Sequence, residues 1–226
     1  MEFKLKLTFI YFDFPFWRAE VGRMALFFGD IKFDDLRITR EEFLRTKEKG
    51  HLDDGTIIPF HQFPCLLVDG VPIAQTGGIA RFCGKLTGLY PKNNDLLAAK
   101  IDQFIDLATD ITFLVAATGT IEDGEKRKAA RAELSQAELP RKLKMLERCI
   151  DDSNDWIVGT DISIADLATW RLMGWLSSGT LDGIPTDLLK PFPKIRRICR
   201  AVDMHPKVQE WVGKTYPANY QRGNYQ

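Results

Sequence analysis

Three short stretches of this 226-residue chain hold residues that could do chemistry. Tyr11 closes a strand-like run, "FKLKLTFIYF", and its phenolic hydroxyl can donate a hydrogen bond to an anion. Phe63-Pro64, inside "FHQFPCLLVDG", sets a proline at the head of an apolar run. Proline cannot donate to a strand ladder, so it belongs at a strand's first residue or on an edge. An X-Pro bond is also where a cis peptide costs least, about 0.5–1 kcal/mol. Gln75-Thr76, in "AQTGG", opens a helix with Thr76 as its N-cap. A helix start offers N–H donors and a favourable field to an anion. Each stretch also has a plain structural explanation: a core tyrosine, a loop-ending proline, a simple cap. The elements around them must decide.

Composition narrows the chemistry. Thirty-one basic residues balance 31 acidic ones, so no net field draws the chain to nucleic acid or to an anionic membrane. No apolar run approaches the ~20 residues of a membrane span. The N-terminal stretch alternates charged and apolar residues and reads as a first strand rather than a signal peptide. Cys65, Cys83, Cys149 and Cys199 show no C-x-x-C spacing, and His51, His61 and His205 are isolated. Neither a disulfide framework nor a metal site is expected, and reduced thiols point to the cytoplasm.

The elements fall into two textures. Residues 1–87 read as β-α-β-α-β-β-α. A strand over 3–12 leads to a helix over 18–30 and a strand over 31–38. A polar helix over 39–50 then precedes the proline-led strand 64–68, an Asp69-Gly70 hairpin turn, "VPIA" at 71–74 and a helix from Thr76 to about Leu86. A βαβ unit with an appended hairpin gives a mixed sheet with helices on its faces. After a linker over 88–94, residues 95–226 read as helices throughout. There Ser163, with Asp166 three residues on, forms a capping-box signature ahead of an apolar-periodic run.

Taken together, "FIYF…RAE", "QFPCLLVDGVPIAQTGGIARFCGKLTGLYPKN" and "WIVGTDISIADL" resemble the cytosolic glutathione S-transferases over essentially the whole chain, nearest to the tyrosine-using sigma, mu, pi and alpha group. The resemblance implies a thioredoxin-like α/β domain with a cis-proline, at 1–87, and an all-α bundle at 95–226 that carries part of a hydrophobic-substrate pocket. It implies glutathione as co-substrate, no metal, and a homodimer acting on a small hydrophobic electrophile. The backbone of Phe63, ahead of cis-Pro64, would pair with the cysteinyl part of glutathione. Gln75 and Thr76 match the Gln-Ser pair that grips the γ-glutamyl end, and Gln62 matches a further contact. Phe43 stands where many relatives have tryptophan. Lys47, or Lys49 given a longer "EKGHLDDGTIIPFH" segment, matches the base that reaches the glycyl carboxylate. Arg18 holds the arginine position before Ala19-Glu20. Asp110 matches an acidic residue that reaches the partner subunit's ligand, and Phe60 matches the aromatic key of the dimer.

Tyr11 is then expected to activate the thiol. A glutathione thiol has a pKa near 8.5, and lowering it by about two units takes roughly 2.7 kcal/mol of preference for the thiolate. One charge-assisted hydrogen bond supplies about 1.5–3 kcal/mol. Relatives place their tyrosine seven residues before the alanine equivalent to Ala19, whereas Tyr11 stands eight before it, so "DFPFW" reads as one residue longer. Phe12, Phe14, Phe16 and Trp17 would line the mouth for an apolar electrophile. The expected activity is glutathione conjugation. Alternatives are a glutathione-dependent isomerase like prostaglandin D synthase, or a non-catalytic binding or structural relative.

Overall fold

The computed structural model describes residues 5–226, which divide into two units, one up to Tyr90 and one from Pro91. In the first unit β1 (Leu7–Phe12), α1 (Trp17–Phe28) and β2 (Asp34–Ile38) form the expected βαβ unit, with β1 and β2 parallel. After α2 (Arg40–Lys49), a short turn of 3-10 helix at Pro59–His61 delivers the chain to β3 (Cys65–Val68). β3 lies antiparallel to β1, and the Asp69-Gly70 turn folds β4 (Val71–Ala74) back on it. The sheet order is β2-β1-β3-β4, and α3 (Thr76–Thr87) follows. The Phe63–Pro64 peptide is cis. Pro64 thus precedes the first ladder residue, Cys65, where its missing N–H costs nothing.

Local chemistry fixes α2 tightly. Thr39 and Glu42 form a capping box at its start, and Gly50 closes it in the left-handed region at φ 80°. A side chain at Gly50 would collide with the His61 ring, so α2 and the 3-10 turn approach closely here. An alternating ion network holds the opposite corner. Buried Arg23 donates to Glu20 at 3.2 Å and to Asp35 at 2.9 Å, Arg37 donates to Asp35 at 2.9 Å, and Arg37 also pairs with Asp13.

The second unit is helical: α4 (Asp95–Thr118), α5 (Gly124–Gln136), α6 (Glu138–Cys149), α7 (Ile164–Ser177), α8 (Pro193–Met204) and α9 (Pro206–Thr215). α7 forms the buried centre, and its capping box is present as read. The fully buried Asp166 carboxylate accepts from the N–H groups of Ile157 and Ser163 at 2.8 and 2.9 Å, and from the Ser163 hydroxyl at 2.8 Å. Burial nevertheless pushes its pKa up to about 6, against the pull of those donors.

Beyond α9, residues 216–226 run back over α7. Arg171 donates to the Arg222 carbonyl at 3.0 Å and to the Tyr220 hydroxyl at 2.7 Å. Tyr225 is buried and donates to the Trp170 carbonyl at 3.1 Å, while the Asn224 N–H reaches Ser177 Oγ at 2.9 Å. Gly174 and Gly223 touch backbone to backbone, which leaves no room for a side chain at either.

Candidate functional site

Strand periodicity decides which residues of β1 share a surface. Phe9 and Tyr11 point to one side, where the Arg23 guanidinium of α1 lies 5.4 and 5.9 Å from their ring centroids. Ile10 and Phe12 point to the other, into a cluster with Ile38, Leu52, Ile58 and Cys65 against which Phe43 and Phe63 also pack. There the Phe12 and Phe43 rings are 4.8 Å apart, and the Phe43 and Phe63 rings 5.8 Å. The aromatic beside Phe63 is therefore Phe12. Tyr11 meets Phe12 edge-on at 5.3 Å but belongs to the opposite layer and is 6% exposed. Burial pushes its phenol up to about 12, although the Arg18 and Arg23 cations pull the other way. Its hydroxyl stays neutral, and the structure does not bring it to Phe63.

The residues expected to grip a ligand do converge. Gln75 Nε2 donates to Gln62 Oε1 at 3.2 Å, which joins the start of α3 to the segment before cis-Pro64. Gln75 holds φ 70°, ψ 124°, a strained conformation for a residue with a side chain. Thr76 is not the cap expected from the sequence: Gln75 occupies the N-cap position, and Thr76 is the first helical residue. That one-residue shift buries the Thr76 hydroxyl with no hydrogen-bond partner among the described residues. Such a group costs about 1–3 kcal/mol, so a ligand acceptor at this point fits it. Lys47 is exposed on the last turn of α2, where its carbonyl lies 3.1 Å from His61 Nδ1, one residue from Gln62.

The remaining expected residues spread out. Phe12 and Phe14 line a cavity of about 550 Å³ with Asp13, Ile38, Arg40, Phe43 and Leu44. Phe16 stacks on Phe14 with ring centroids 5.7 Å apart but is buried, and Trp17 is fully buried as the first residue of α1. Neither lines a mouth, because the helix turns both inward. Arg18 lies over the Trp17 ring at 5.5 Å and faces Tyr11 rather than Phe63. Asp110 sits on α4 in the second unit, where Lys142 Nζ donates to it at 3.1 Å. Phe60 is 70% exposed at the centre of the 3-10 turn, with φ 58°.

Residues 109–215 match the family model "Glutathione S-transferase, C-terminal domain". Glutathione S-transferase 1 of Ascaris suum is 27% identical over 92% of this chain and 95% of its own. Rat hematopoietic prostaglandin D synthase is 27% identical over 87% of this chain and 90% of its own. The Pi-class glutathione S-transferase of Onchocerca volvulus superposes with a TM-score of 0.72, at 27% identity over 92% of this chain and 93% of that one. The chain is similar to glutathione S-transferases over most of its length. The fold agrees as closely with a structure of the rat synthase complexed with a quinoline, at TM-score 0.78 and 24% identity over 94% and 98% of the two chains.

Within a glutathione S-transferase frame, Phe12, read from the sequence as lining the mouth, is the β1 residue that shares a layer with Phe63. Its signal was present: Phe12 stands seven residues before Ala19, the spacing expected of the family's tyrosine. No inserted residue in "DFPFW" is then required. Among the described residues no group of His, Cys, Asp and Glu side chains converges as a metal cluster, and no helix is long and apolar enough to cross a membrane.

Proposed function

We propose that this chain is a glutathione S-transferase: it binds glutathione in its first unit and presents the thiol to small hydrophobic electrophiles, acting as a cytoplasmic homodimer. The observation that carries this reading is the Gln62–Gln75 pair beside the buried, unpartnered Thr76 hydroxyl, next to the cis Phe63–Pro64 peptide. Gln62, Gln75 and Thr76 hold the γ-glutamyl end, and the Phe63 backbone pairs with the cysteinyl unit. Lys47 takes the glycyl carboxylate, while Asp110 serves the partner subunit's ligand and the exposed Phe60 ring anchors the dimer. Glutathione, when bound, supplies the nucleophilic sulfur. The Phe12, Phe14 and Phe43 rings exclude water beside that position and offer apolar contact to the second substrate.

Two alternatives have specific support. The similarity to prostaglandin D synthases favours a glutathione-dependent isomerase at the same site. The phenyl ring of Phe12, which has no hydroxyl to give a thiolate, favours a binding role without turnover. Calorimetry with glutathione, paired with a chlorodinitrobenzene conjugation assay, separates these. Binding with turnover supports the transferase, and binding without turnover supports the non-catalytic role. Absence of glutathione binding would overturn the reading altogether.

A further inference from the structure

The two ends of the proposed glutathione grip are far apart in the chain. Lys47 stands on the last turn of α2, and His61, just ahead of Gln62, lies 14 residues beyond it. A connection of that length leaves its ends loosely related unless something ties them. Leu52 and Ile58 bury in the apolar cluster with Ile10, Ile38 and Cys65, and the Ile58 N–H donates to the Gly50 carbonyl at 2.9 Å. These contacts seat the base of the loop on the sheet. The link from α2 on to Gln62 is made by the His61 side chain.

The backbone at this point is unusual. Phe60 holds φ 58° and His61 φ 51°, two successive left-handed residues of which neither is glycine. Such conformations are uncommon and persist only where the surroundings impose them. The seat of the imidazole does so here. Its Nδ1 lies 3.1 Å from the Lys47 carbonyl, one of the last four of α2, which helix geometry leaves without an intrahelical partner. A carbonyl only accepts, so Nδ1 carries the proton and donates. The Nε2 edge packs over Gly50, itself left-handed at φ 80°, where a methyl group would overlap the ring. Gln62 then returns to extended backbone at φ −130°, ψ 144°, and its side chain accepts from Gln75 at 3.2 Å. An unbroken line of contacts thus runs from the end of α2 through His61 and Gln62 to Gln75, at the start of α3.

We propose that, given the glutathione site proposed above, His61 is a positioning residue that fixes the span between Lys47 and the Gln62–Gln75 pair, and so makes the site selective for the full tripeptide over γ-glutamylcysteine. His61 touches no reacting atom. It holds the last turn of α2 at the distance where one ligand meets both ends of the grip. The glycyl carboxylate then finds Lys47 already placed, which cuts the ordering cost of binding. The dipeptide lacks the glycyl unit and gains nothing from the clamp.

Calorimetry with glutathione and with γ-glutamylcysteine on the wild type, His61→Gly and His61→Asn tests this. Glycine accepts the left-handed backbone but removes the ring, whereas asparagine tolerates it and keeps a side-chain N–H donor. His61→Gly should weaken glutathione by roughly fivefold or more and leave γ-glutamylcysteine within about twofold. His61→Asn should restore most of the glutathione affinity. Lys47→Ala should weaken glutathione too, and adding His61→Gly to it should cost nothing further, since the two changes break one linkage. Without ligand, amide exchange in the last turn of α2 should quicken in His61→Gly and return to the wild-type rate in His61→Asn. Equal weakening of both peptides in His61→Gly would mark a merely structural role and overturn the proposal. Unchanged glutathione affinity in that variant would overturn it as well. Wild-type protein that binds neither peptide would instead overturn the proposed function on which the clamp's role rests.

Discussion

Phe12→Tyr should turn a poor thiol-activating site into a competent one. Phe12 is the β1 residue that shares a layer with Phe43 and Phe63, and it borders a cavity of about 550 Å³, so a hydroxyl at its para carbon has space. An unassisted thiol of pKa about 8.5 is roughly 1% ionised at pH 6.5. A hydroxyl donor contributing about 2.7 kcal/mol would lower that pKa by about two units and raise the thiolate fraction roughly fifty-fold. Conjugation rates at saturating glutathione, followed against pH, read this directly. The wild-type profile should rise with an apparent pKa near the free thiol's, and the variant should reach its plateau about two units lower. Tyr11→Phe should change the profile little, because a buried phenol of pKa about 12 on the opposite layer does not reach the sulfur. A large loss in Tyr11→Phe with no gain in Phe12→Tyr would refute the assignment of faces.

Thr76→Val should weaken glutathione binding by about 1–3 kcal/mol yet stabilise the free protein by about 1 kcal/mol, because it removes a buried hydroxyl that lacks a partner; calorimetry and thermal melts read the two effects. Phe60→Ala should shift the protein from dimer to monomer in sedimentation at micromolar concentration, since buried aromatic anchors dominate interface energy. Asp166 gives a pH signature. Its folded pKa of about 6 lies above the unfolded value of 3.8, so its contribution is full below pH about 4 and fades as the pH rises through 6. Asp166→Asn, which keeps a hydrogen-bonding side chain without the charge, should flatten that part of the stability profile in urea titrations.

Much of the fold was legible because single residues dictate backbone. Pro64 could only head a strand, Asp69-Gly70 could only turn, and Ser163 with Asp166 announced α7 at the right residue. Sequence alone does not assign Tyr11 and Phe12 to a layer, because a strand's two faces differ by one residue. Tyr11 and Phe12 both fit the end of β1, and only the register with β2 and β3 assigns each to a layer. Thr76 lost its capping role for a comparable reason: the left-handed φ at Gln75 moves the helix start by one residue, and no local propensity favours that conformation in glutamine. Trp17 looked like part of an aromatic mouth because the sequence does not tell which way the first turn of α1 faces. The Glu20–Arg23–Asp35–Arg37–Asp13 network went unread, since its members come from α1, β2 and the loop after β1.

The segment that crosses back over α7 has a consequence for synthesis in the cell. Arg171 and Trp170 find their partners in Tyr220, Arg222 and Tyr225, roughly fifty residues downstream. While those residues are still inside the ribosomal exit tunnel, the central helix lacks these contacts, and the Gly174 face that receives Gly223 is uncovered. The helical unit thus completes its core only once residues 220–225 have emerged and docked on α7.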